Sequence, residues 1–146
     1  ESGETGELDG LGETGDDPDA IEAVSDNSEL AAQHTKTANQ LMAQGKTKQA
    51  EAAFHKALKA ESRHFDALKG LGTLYFSRSK YGKSAKYRKM AVAKRPKDGA
   101  LRIQLGDAYF KSAKYADAET QYEKAKALGQ PDAEGRLAKV RKKTGG

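Results

Sequence analysis

The sequence predicts an all-α solenoid of three antiparallel helix pairs closed by a C-terminal capping helix. Two observations carry this. A pattern repeats every 34 residues: Leu71, Gly72, Tyr75 and Phe76 return as Leu105, Gly106, Tyr109 and Phe110, with Ala57, Ala91, Ala125 and Lys46, Lys80, Lys114 as parallel series. Apolar residues also recur at helical spacing from about residue 28 to 140. A fixed period of this size marks units that bury their apolar faces only against neighbours, so about three are needed for stability.

The first helix is expected from Ser28, with Ala31, Ala38, Leu41 and Met42 on one face and Asp26 or Ser28 as its cap. Gln44-Gly45-Lys46 breaks it. Thr47 to Glu61 follows, placing Ala50, Phe54, Ala57 and Leu58 together, then Phe65 to Ser77 with Leu68, Leu71, Leu74 and Tyr75. Tyr81 to Lys94 is stopped by Pro96, which lacks the N–H needed to continue the ladder. Asp98 suits the N-cap of Gly99 to Lys111. Tyr115 to Leu128 ends at Gly129, a residue that accepts the left-handed conformation of a C-terminal cap. Pro131 starts the last helix, with Ala133, Leu137 and Val140 inward and Arg136, Lys139, Arg141, Lys142 and Lys143 as a polar outer face. This gives an acidic tail or linker at 1–27, repeats at 31–64, 65–98 and 99–132, and a capping helix with a frayed end at 133–146.

Composition divides the chain sharply. Residues 1–30 hold eleven of the 21 acids and no Lys or Arg, so all 26 basic residues lie in 31–146, leaving +16 there. The Gly-, Glu- and Asp-rich residues 1–25 have too little apolar surface to offset ordering entropy and read as a disordered acidic tail. A first residue of Glu reads as an excerpt or processed product. There is no cysteine, which excludes disulfides and thiolate metal sites, and no apolar run near the roughly 20 residues of a membrane span. The expectation is a soluble, cytoplasmic monomer.

No motif for catalysis stands. Gly82-Lys83-Ser84 lacks the first glycine of a phosphate-binding loop, Ser77 standing there, and no strand precedes it. His34, His55 and His64 have no metal-ligand spacing. No enzyme activity, metal or cofactor is expected.

The residues resemble the tetratricopeptide repeat family, whose motif has Leu-Gly then Tyr in a first helix and Ala, an aromatic, Ala and Pro in a second. Residues 99–132 match through Leu105-Gly106, Tyr109, Ala118, Tyr122 and Ala125. Residues 65–98 carry Leu68, Leu71-Gly72, Tyr75, Ala91 and Pro96, but Ser84 and Arg88 replace the usual Ala and aromatic. Residues 31–64 match mainly through Ala50, Phe54 and Ala57. The resemblance implies a right-handed superhelix whose first helices line a concave groove, a scaffold for protein–protein interaction. Its inward positions correspond to Thr35, Asn39 and Met42, then Lys69, Thr73, Phe76 and Ser77, then Ile103, Asp107, Phe110 and Lys111. Phe76 and Phe110 either face the groove or pack between helices. Such a mixed surface suits an acidic or mixed acidic-apolar peptide. One subgroup of the family clamps the C-terminal carboxylate of chaperone tails with Lys and Asn, then Asn, then Lys and Arg. Here only Asn39 fits, the other positions holding Thr35, Gly70, Ala100 and Gln104, so no clamp is expected.

A basic cluster, Arg78, Lys80, Lys83, Lys86, Arg88 and Lys89, surrounds the second helix of the middle repeat. It offers an alternative reading in which a convex face attracts nucleic acid or an anionic membrane. Arg88, at a normally aromatic position, is expected to pack its stem and turn its guanidinium outward. The acidic tail is a candidate intramolecular ligand for the same cations.

Overall fold

The computed structural model describes residues 18–145, with side chains from Asn27 onward. Its order is α1 (Pro18–Ala43), α2 (Thr47–Ala60), α3 (Phe65–Ser77), α4 (Tyr81–Lys94), α5 (Gly99–Lys111), α6 (Tyr115–Ala127) and α7 (Ala133–Thr144), with no strand among the described residues. The second helices begin at 47, 81 and 115, and the first helices after α1 begin at 65, 99 and 133. Both series step by 34, so α7 starts in the register of a fourth first helix.

The interior is a chain of three cores, each shared by three consecutive helices. Ala38, Phe54, Ala57, Leu71 and Leu74 join α1, α2 and α3. Leu68, Ala91, Val92, Leu101 and Leu105 join α3, α4 and α5. Ile103, Ala118, Tyr122, Leu137 and Val140 join α5, α6 and α7. No pair closes its own core, as a solenoid requires.

Each first helix ends in the same device. Lys46, Lys80 and Lys114 donate their backbone N–H to the carbonyls of Leu41, Tyr75 and Tyr109, at 2.9, 2.8 and 2.8 Å. The residue before each lysine is left-handed: Gly45 (φ 76°), Ser79 (φ 59°) and Ala113 (φ 62°). This six-to-one bond around a left-handed residue is the Schellman motif, and Gly129 (φ 83°) repeats it after α6. The lysine series therefore marks a turn position. Asp98 caps α5 as expected, its carboxylate accepting from Leu101 N at 3.0 Å.

Two boundaries differ from expectation by more than one residue. Helix α1 begins at Pro18, so Asp26 and Ser28 lie inside it and residues 18–27 are helical rather than tail. Proline fixes φ near the helical value and loses nothing at a first-turn position, so it starts a helix as well as ends one. The tail assignment for 1–17 lies outside the described residues. The last helix starts at Ala133, two residues after Pro131, and Gly145 closes it in the left-handed conformation.

Candidate functional site: a two-part concave groove

The groove is a consequence of spacing. On α3, Lys69, Thr73 and Phe76 fall at intervals of four and three and so share one face. On α5, Asp107 and Phe110 do the same three residues apart. The surface they form has two depressions.

The C-terminal one encloses about 340 Å³. Phe76 and Phe110 form its apolar walls. Each is half-buried and stands edge-on to a tyrosine one turn-loop later, Phe76 to Tyr81 and Phe110 to Tyr115. They therefore pack between helices and also face the groove. Asp107 also lines the pocket and is engaged by two neighbours. It accepts from Tyr122 Oη at 2.6 Å and from both Nε and Nη2 of Arg136 at 3.0 and 3.1 Å. The hydrogen bond to Asp107 holds the Arg136 guanidinium above its ordinary pKa, while burial and the same carboxylate push Tyr122 up. With Asp107 neutralised, the open charges at the rim are Lys111 and Lys139, neither of which pairs with a carboxylate among the described residues. Arg136 and Lys139 come from α7, which was expected to be a cap with an outward polar face. Lys139, Arg141, Lys142 and Lys143 are exposed, and the helix also supplies one wall of the site.

The N-terminal depression, of about 320 Å³, lies among Asn39, Met42, Asp66, Lys69 and Thr73. It opens beside a shallower one of about 510 Å³ that Asn39 and Asp66 also border. The 320 Å³ depression is more polar than the C-terminal pocket, and neither of the two is lined by a pair of phenylalanines.

Several expected positions move. Thr35 lines the 510 Å³ depression but is 4 % exposed, and its Oγ1 donates inward to Ala31 O at 2.8 Å, as a threonine inside a helix often does. Ile103 is 5 % exposed and belongs to the core with Leu137, because α7 covers that face of α5. Asn39, Met42, Lys69, Thr73, Phe76, Asp107, Phe110 and Lys111 do border the groove. One clamp position, Gly70, is closed by packing. A Cβ on Gly70 would lie 2.3 Å from Phe54 Cε1, so no asparagine fits there without moving a buried ring.

Arg88 is the largest departure. It is 6 % exposed and does not turn outward. Its Cγ fills the space left by Gly72, its Nη1 donates to the carbonyl of Gln104 at 2.8 Å, and its Cζ lies 4.6 Å from the centre of the Phe76 ring. Burial pulls its pKa below the ordinary arginine value, and Asp107 offsets part of this. Beside it, Ser84 donates to Gly72 O at 2.7 Å.

Arg78 also leaves the basic patch, since its Nη1 lies 2.7 Å from Glu51 Oε1. Glu51 accepts from Tyr75 Oη as well, at 2.5 Å, and this bond leads the causes that lower its carboxyl pKa. Tyr75 is one residue and about 100° round the helix from Phe76. It stacks on Tyr87, with Lys83 and Lys86 over the two rings. What remains open on α4 is Lys83, Lys86 and Lys89, with Lys80 just before it. Among the described residues no group of His, Asp and Glu side chains could hold a metal ion, and no helix is long and apolar enough to cross a membrane.

Residues 35–99 match the model of the tetratricopeptide repeat family. No curated protein sequence matches the chain. Among solved structures, the chain is similar to the first such domain of Spaghetti (RPAP3) bound to the HSP90 peptide SRMEEVD. The identity is 21 %, over 82 % of this chain and 96 % of that one, with a TM-score of 0.73. The second domain of human RPAP3, in complex with the HSP70 peptide SGPTIEEVD, is 18 % identical over 79 % and 98 %, with a TM-score of 0.71. The Sgt2 domain from Aspergillus fumigatus is 21 % identical over 78 % of each chain, with a TM-score of 0.67. The seven helices and their 34-residue step give the chain the fold of tetratricopeptide repeat domains, and residues 35–99 match that family's model.

Proposed function

We propose that this chain is a protein-interaction scaffold that takes a peptide segment, acidic or mixed acidic-apolar, in its concave groove. The observation that carries this is the C-terminal depression: it is lined by two phenylalanines with Lys111 and Lys139, and its one carboxylate is already bonded. Apolar walls supply affinity and the lysines favour carboxylates. The solved neighbours that hold chaperone peptides support peptide binding as the use of such a groove. The particular tail they hold does not follow, because Thr35, Gly70, Ala100 and Gln104 offer no clamp. SRMEEVD should therefore bind no better than a scrambled heptapeptide. Selection from a displayed random-heptapeptide library should yield binders to the full chain, and Phe76→Ala with Phe110→Ala should abolish their binding. Selected peptides that bind this double variant as well as the parent would refute the groove. No reaction is proposed.

A second reading rests on the α4 lysines. Lys80, Lys83, Lys86 and Lys89 are exposed and have no carboxylate partner among the described residues, a surface able to draw nucleic acid or anionic lipid. Lys83→Glu with Lys86→Glu should remove binding to a DNA duplex or to phosphatidylserine vesicles and leave peptide binding intact. The same cations are the proposed docking place of residues 1–17, which hold seven acids and, tethered, act at an effective concentration on the order of mM. Deleting 1–17 should raise affinity for anionic probes at low salt, and unchanged affinity would dismiss the contact.

A further inference from the structure

Arg88 is a buried cation without a counter-ion. No carboxylate pairs with it among the described residues, and the nearest in electrostatic reach, Asp107, is occupied by Tyr122 and Arg136. A single backbone carbonyl, that of Gln104, takes one of its five N–H groups. Its Nε is buried with no acceptor, and the side-chain Oε1 of Gln104 is buried with no donor. Removing such groups from water without partners is costly, and an unpaired charge costs most. The middle repeat could have kept an aromatic here, as its neighbours do with Phe54 and Tyr122.

The place of this charge gives it a use. Its Cζ lies 4.6 Å from the centre of the Phe76 ring, and Phe76 is a wall of the C-terminal pocket. The guanidinium is thus in cation–π contact with that wall. Phe76 is only half-buried, and a side-chain rotamer change needs no helix to unfold. A carboxylate is the natural acceptor for the unpaired Nε.

We propose that the C-terminal half of the groove selects a segment with an acidic side chain beside a bulky apolar one, the carboxylate pairing with Arg88 and the apolar group seated between Phe76 and Phe110. This rests on the groove-binding reading and names the residue that sets its acidic preference. Arg88 is buried in the free protein, and ligand binding moves Phe76 aside to pair it.

The test is a random-heptapeptide display selection on the full 146-residue chain and on Arg88→Phe, a ring the repeat already accommodates at Phe54. The parent pool should be enriched in Asp or Glu next to Leu, Ile or Phe. The Arg88→Phe pool should keep the apolar preference and lose the acidic one. The best acidic peptide from the parent pool should bind Arg88→Phe at least tenfold more weakly at both 50 and 300 mM NaCl. A desolvated pair is screened far less by salt than the exposed lysines are. Arg88→Lys, which keeps a charge but loses Nε, should fall between the two and serves if Arg88→Phe fails to fold by circular dichroism. The same acidic enrichment on parent and variant would overturn the role of Arg88 and leave the groove standing. A parent pool with no binders would remove the groove reading and this one together.

Discussion

Tyr122 in the third helix pair and Arg88 in the second lie 34 residues apart, and each rests against a glycine of the helix before it, Gly106 and Gly72. Both side chains are long and thin enough to cross that gap and carry a polar tip to the far side. Tyr122 delivers a hydroxyl to Asp107, where a carboxylate and Arg136 complete the network. Arg88 delivers a full charge to a site with one carbonyl and no carboxylate. The position thus asks for a shape, and the chemistry of the tip is left free. Where the tip is satisfied it acts as structure. Where it is unsatisfied, it is the charge proposed to pair with a ligand once Phe76 moves.

Truncation breaks the comparison most severely. Tyr122→Ala should cost about 3–5 kcal/mol, the range for emptying a buried aromatic site. Arg88→Ala should cost less than half of that in urea denaturation, because losing the packing is offset by removing an unpaired buried charge. Equal losses would mean that Arg88 is stabilised by contacts the geometry does not reveal.

The glycines sharpen it. A Cβ on Gly106 would come within 2.5 Å of the Tyr122 ring, and one on Gly72 within 2.6 Å of Arg88 Cγ. Gly106→Ala should destabilise by about 1–3 kcal/mol, and Gly72→Ala by less, since an arginine stem can change rotamer where a ring cannot. Asp107→Asn follows, at about 1–2 kcal/mol, with faster hydrogen exchange at the N-terminal half of α7. The turns carry the comparison further. Gly45 takes a left-handed conformation freely, whereas Ala113 is held there at φ 62°. Ala113→Gly should stabilise by up to about 1 kcal/mol, seen as a raised denaturation midpoint.

The smallest effect separates two similar networks. Glu51, like Asp107, accepts from a tyrosine hydroxyl and an arginine. Its folded pKa is below the usual 4.5, so its contribution is complete above that pH and lost as pH falls through the folded value. Glu51→Gln should lower stability at pH 7 and leave a shallower decline below pH 4.5. An unchanged acid limb would count against this network.

Much of this was legible in the sequence because a 34-residue step repeats backbone requirements. Leu-Gly before an aromatic, Asp98 at a helix start and Gly129 at a helix end each state a local geometry. The remainder depends on which helix lies across from which. Ile103 sits at a groove position by periodicity, yet α7 covers it. Arg136 reads as surface until Asp107, 29 residues earlier, is placed opposite it. Arg88 stands out as irregular, but its burial follows from the space above Gly72 and the carbonyl of Gln104, which no local pattern encodes. Helix α1 extends to Pro18 through an acidic stretch that composition alone assigns to a tail.

The central claim is that ligands enter the concave groove and not the lysine face of α4. It is tested most directly by titrating the 15N-labelled full chain with a heptapeptide selected on it and following backbone amide shifts. The account predicts the largest changes at Phe76, Asp107, Phe110 and Lys111, with Lys83, Lys86 and Lys89 nearly still. Changes concentrated at those three lysines, with Phe76 and Phe110 unmoved, would contradict it.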